Sequence, residues 1–209
     1  MAFFRKKIEL NDIYVGIIGD MIQPETESWA IETLFPDFKY SSMKNQPKEA
    51  LKEKEFSEED FVIFLRAMVV SAVGGMASWV YPSQFVFFEQ VIENEDLTEN
   101  FSNFFDLKDF GLALANALNT ADTTNIEENI IHGSAIYGRQ STMAGDQAHM
   151  FETATIALSF MIGYFSKHSP KIAIALQSDP SSSRDSLVDF FAHVVRYWNN
   201  VLKNYKPVF

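Results

Sequence analysis

The sequence predicts an all-α fold, a single-domain bundle of about eight to nine helices around a central apolar helix at 58–80. Three observations carry this. The stretch Phe61 to Tyr81, FVIFLRAMVVSAVGGMASWVY, is the longest apolar run in the chain and is broken only by Arg66. Near the end, Leu187, Phe190, Phe191, Val194, Trp198, Val201 and Tyr205 recur at spacings of three and four, which places them on one face of a closing helix. Nowhere do apolar and polar residues alternate as they would in a half-buried strand, and no short hairpin turn separates β-branched runs.

At about 100° per residue, Phe61, Phe64, Leu65, Met68, Ala72, Met76 and Trp79 form one face of the central helix. Ala67, Ser71, Gly74 and Ser78 form a narrow second line, along which small side chains admit a neighbouring helix backbone. This helix is therefore expected to have partners on at least two sides. Ser57 and Asp60 cap its start in the manner of a capping box, with Asp in place of the usual Glu. The run is long enough to be tested as a bilayer span. Arg66, the row of small residues with its two serines, and Glu58, Glu59 and Asp60 at its start argue against one, and no membrane span is expected.

The remaining elements follow from their punctuation. Asn11 caps a first helix carrying Ile13, Ile17, Ile18 and Met21, and Pro24 stops it or opens the next. A short helix through Trp29, Ile31 and Leu34 ends before Pro36. The segment near 37–56 is rich in Lys and Glu and poor in large aliphatics, and reads as a charged loop or an exposed, mobile helix. Pro82 turns the chain into a helix with Phe85, Phe88, Val91 and Ile92 inward. Asp106 and Asp109 open a helix through Phe110, Leu112, Leu114 and Leu118, and Thr124 with Glu127 caps one reaching about Tyr137. From about Ala144 to Phe165 a long helix is apolar in its second half, and Ser169-Pro170 end it before a short apolar piece, KIAIAL. By composition, SDPSSSRDS at 178–186 reads as a loop ahead of the closing helix. No internal repeat is visible, so the expectation is one domain over 1–209.

Composition narrows the function. Twenty phenylalanines against nine glycines point to an aromatic core. The absence of cysteine removes disulfides, thiolate metal sites and cysteine nucleophiles, and suits a reducing, cytoplasmic setting. No apolar stretch of signal-peptide length follows MAFFRKKIELND. A net charge of −11 disfavours nucleic acid and favours a partner with a basic surface. The excess is uneven: Glu89, Glu93, Glu95, Asp96, Glu99, Asp106 and Asp109 stand against Lys108 alone between 89 and 109. Of these, Glu93, Glu95, Asp96 and Glu99 are the candidate partner-binding residues.

Catalytic spacing is scarce. There is no Gly-rich phosphate loop, HExxH or GxSxG, and around Ser141 both glycines of the last are missing or displaced. His168 stands at a helix end, and His193 shares a polar face with Asp189, Arg196 and Asn200. Asp146 precedes His149 by three and Glu128 precedes His132 by four, the helical spacing that metal-binding bundles use. Asp146 and His149 fall near an inward stripe with Met150, Thr153, Ala157, Phe160 and Tyr164, whereas Glu128 and His132 point to water; no cofactor or metal is expected. Arg66 needs an acid or carbonyl partner if buried, and is either a structural ion pair or the anchor of a ligand carboxylate or phosphate.

The reading that results is a non-enzymatic acidic interaction protein, of inhibitor, immunity or adaptor type, with a basic macromolecular partner. One alternative is a helical metal-binding protein or enzyme built on Asp146 and His149. Another is a protein that holds an apolar ligand between aromatic helices.

Overall fold

The computed structural model describes residues 6–9, 16, 19, 21, 26–37, 46–75, 110–114, 116 and 144–208. Its elements are β1 (Lys6–Glu9), α1 (Glu27–Leu34), α2 (Gln46–Glu53), α3 (Glu58–Gly75), α4 (Ala144–His168), α5 (Pro170–Ser178), α6 (Pro180–Asn204) and β2 (Tyr205–Val208). Residues 110–114 are helical as well. The fold is all-α in character, with fewer helices among the described residues than the eight to nine expected. The helices anticipated after Pro82 and after Thr124 lie outside the described residues, as does most of the one after Asn11.

Each helix starts and stops for local reasons. Phe35 N–H closes α1 on Ile31 O at 2.8 Å, and Pro36 follows, a residue that cannot continue a helical ladder. At the end of α2, Phe56 N–H reaches Leu51 O at 2.7 Å and Glu55 N–H reaches Lys52 O at 3.2 Å. That pattern is a Schellman motif, and Glu55 occupies its left-handed position with φ 52°, where glycine is usual. Ala50, Leu51 and Phe56 are buried, so the charged tract contains a packed helical edge.

In α3 the Ser57 half of the expected capping box is formed, while the Asp60 carboxylate meets the Ser57 hydroxyl and not its N–H. Asp60 N–H donates to Ser57 Oγ at 3.0 Å, and Ser57 Oγ donates to Asp60 Oδ2 at 2.5 Å. From Phe64 to Gly75 every residue of α3 except Arg66 is buried. The helix packs against α1, α4, α5 and α6, which accounts for an apolar surface on more than one side. At Gly75 a methyl group would fall well inside contact distance of Thr153 Cγ2 on α4 and at 3.5 Å from Phe191 Cε2 on α6. Gly75, one residue past Gly74 of the expected row, thus admits close approach of two neighbours at once.

The segment 178–186 is not a loop. Pro170 and Pro180 occupy the first positions of α5 and α6, where a missing N–H is harmless. Asp179 Oδ1 accepts from Ser182 N–H at 3.2 Å, and Ser183 N–H reaches Asp179 O at 3.0 Å, so the serines form the opening turns of α6. Their hydroxyls are used against α1: Ser183 Oγ donates to Thr33 O at 2.7 Å, and the Ser186 and Thr33 hydroxyls lie 2.9 Å apart. A serine-rich composition resembles a loop, but here Asp179 caps a helix whose serines fasten it to α1.

Tyr205 is also placed differently from the expectation. It opens β2, which pairs in parallel with β1 in the register Lys6↔Tyr205, Lys7↔Lys206, Ile8↔Pro207 and Glu9↔Val208. Strands of four residues are too short for an alternating pattern to stand out, and Pro207 is tolerated because a two-stranded ribbon has only edges. The core between the helices is aromatic, as expected. Phe110 lies 5.1 Å from Phe160, 5.2 Å from Tyr164 and 6.1 Å from Phe165, ring centre to ring centre.

Candidate functional site

A cleft of about 450 Å³ opens where the end of α1, the end of α2 and the outer face of α5 meet. Its size falls in the range of small-molecule sites, roughly 300 to 1,000 Å³. Phe35 and Phe56, each just past a helix end, meet edge to face at 5.3 Å and supply its aromatic wall. α5 contributes Lys171, Ile174, Ala175 and Ser178. The face of α5 that carries Ile172, Ala173 and Leu176 is buried, and this rotation turns Ile174 outward to 68% exposure, conspicuous for a large hydrophobic side chain.

Four charged groups line the cleft. Lys54 Nζ bonds Asp37 Oδ2 at 2.8 Å and lies 5.9 Å from the centre of the Phe35 ring. The hydrogen bond from Lys54 holds the Asp37 carboxyl below its ordinary value, partly opposed by desolvation and by the charge of Asp179. Asp179 is held low in the same direction by hydrogen bonds from Ser182 at the start of α6. Lys171 lies 5.7 Å from the Phe56 ring centre and donates to the Glu55 carbonyl oxygen, which the left-handed backbone of Glu55 turns toward it.

Most of the residues singled out from sequence cannot be placed against this cleft, because they or their side chains lie outside those described. Glu93, Glu95, Asp96 and Glu99 lie outside the described residues, as do Glu128 and His132. Asp146 and His149 lie in the first turns of α4, and their side chains are not among those described. Among the described residues no group of three or more His, Cys, Asp or Glu is placed to hold a metal ion. No helix among them is long and apolar enough to cross a membrane.

Arg66 is half-buried on the one outward stripe of α3, where it lines an open cleft of about 250 Å³ with Glu58, Glu59 and Val62. Burial pushes its guanidinium below the ordinary arginine value. His168 ends α4 with its ring stacked on Tyr164 at 4.3 Å. His193 is half-buried beside Trp29 at 6.3 Å, while Asp189, Arg196 and Asn200 on the same face are exposed. The polar face of α6 is thus partly covered by α1.

Two features escaped sequence reasoning. Glu152, three residues after His149, is only 6% exposed, and it falls outside the inward stripe read from the sequence. The cleft itself had no sequence signal, because its aromatic pair is split between a helix end at Phe35 and a charged tract at Phe56. Compared with known protein families, with curated proteins and with solved structures, the chain matches none.

Proposed function

We propose that the protein is a non-enzymatic, acidic helical interaction protein that binds a macromolecule through that partner's basic surface, in the manner of an inhibitor, immunity protein or adaptor. The observation that carries this reading is the uneven charge of the chain. A net −11 is concentrated where Glu89, Glu93, Glu95, Asp96, Glu99, Asp106 and Asp109 face a single lysine in sequence. Further support comes from the exposed carboxylates of Glu58 and Glu59 on α3 and of Asp189 on α6. A field of one sign accelerates encounter with a partner of the other sign and weakens as salt screens it.

The test starts with a partner recovered from the native cell on the intact chain and then purified. Its association rate is measured by stopped flow at low and high salt. A basic contact surface and a rate that falls steeply with salt are expected. A partner that is acidic at its contact surface, or whose rate is indifferent to salt, overturns the reading.

A further inference from the structure

The described charges of the cleft between α1, α2 and α5, two lysines and two aspartates, differ in how each is partnered. Lys54 is neutralised by Asp37 at 2.8 Å. Asp179 is satisfied by the opening of α6, whose N–H groups and dipole favour a carboxylate there. Lys171 differs from both, because its contacts among the described residues are a carbonyl oxygen and an aromatic face, neither of which carries a countercharge. Beside it Ile174 leaves an apolar side chain uncovered, and Phe35 and Phe56 wall the same space.

We infer that this cleft binds a small apolar carboxylate, its hydrocarbon part covering Ile174 between Phe35 and Phe56 and its anionic head paired with the Lys171 ammonium. Two physical terms act together. Covering Ile174 and the aromatic edges removes apolar surface from water, and a charge-assisted bond to Lys171 fixes which end of the ligand faces α5. The backbone of Glu55 supports this arrangement. Glu55 ends α2 in the left-handed position of a Schellman turn. That turn aims the Glu55 carbonyl at Lys171 and so fixes the ammonium at the cleft wall. The inference is independent of the macromolecular partner proposed above.

The probes are phenylpropanoate and its cationic counterpart phenylpropylamine, titrated into the intact protein and followed by calorimetry and by NMR shifts of the Ile174 methyl groups. Phenylpropanoate is expected to bind saturably and about tenfold more tightly than the amine. Lys171→Met should remove about tenfold of that affinity, and Ile174→Ser should weaken it while leaving the preference for the anion intact. Lys171 and Ile174 are exposed, and far-ultraviolet circular dichroism of each variant checks that α5 is retained. Equal binding of the two probes, tighter binding of the amine, no saturable binding of either, or an affinity unchanged in Lys171→Met overturns the inference.

Discussion

Ser169 Oγ donates a hydrogen bond of 2.7 Å to Asp60 Oδ1, and so joins the residue before α5 to the first turn of α3. The other oxygen of the same carboxylate accepts from Ser57, and the Asp60 N–H returns to the Ser57 hydroxyl. One half-buried carboxylate thus holds the Ser57 hydroxyl that caps the central helix and fastens α5 to it. Asp60→Ala is expected to cost about 1 to 2 kcal/mol in urea unfolding, since it removes the acceptor of two hydroxyl hydrogen bonds. A double-mutant cycle with Ser169→Ala should give a coupling of about 0.5 to 1.5 kcal/mol, whereas additive losses would show that the two helix starts are independent.

Gly75 and Gly163 separate packing from propensity. Gly75 is enclosed by Thr153 and Phe191, while a methyl group at Gly163 on α4 would meet nothing within 4 Å. Gly75→Ala should therefore destabilise by about 1 to 3 kcal/mol through overpacking. Gly163→Ala should stabilise by up to about 1 kcal/mol, since it removes backbone freedom from the unfolded chain at a helical site. Equal effects in thermal unfolding would contradict the close approach of α3 to α4 and α6.

Glu55 carries the left-handed turn of a Schellman motif without being glycine. Glu55→Gly relieves that conformation and should raise stability by about 0.5 to 1 kcal/mol, measured as a higher urea midpoint at unchanged slope. A loss of stability would mean that the turn is not adopted.

Much of the fold was legible because its signals are local. The cap at Ser57 and Asp60, the end of α1 before Pro36 and the start of α4 at Ala144 each depend on residues within a turn of one another. What was not legible depends on distant partners. The serines of 178–186 look like a loop until Thr33 of α1 is there to accept from Ser183, and Tyr205 continues a helical period until β1 arrives to pair with it. The end of α2 was obscured for another reason, since Glu55 stands where a glycine would have announced it. The cleft belongs with the distant cases: Phe35, Phe56 and Ile174 come from three segments, and only packing shows that Ile174 of KIAIAL faces outward.

Glu32 gives the pH prediction. Burial, and secondarily the charge of Asp189, raise its carboxyl above the ordinary value of 4.5. A raised carboxyl favours the folded state when protonated, so this contribution is present below about pH 4.5 and is lost as pH rises through the higher folded value. Glu32→Gln should therefore raise the thermal midpoint at neutral pH and leave it nearly unchanged in acid. A gain of the same size at both pH values would show that charge is not its cause.

The association rate of the proposed basic partner with the Glu93, Glu95 and Asp96 to lysine triple variant tests the proposed function most directly. Between about 0.05 and 0.5 M salt the screening length falls from roughly 14 to 4 Å. For the native chain the rate should drop steeply over that range. The triple reversal should lower the low-salt rate much more than it shifts the melting temperature, and should flatten the salt dependence. A rate that ignores both the salt and the three substitutions would contradict the account.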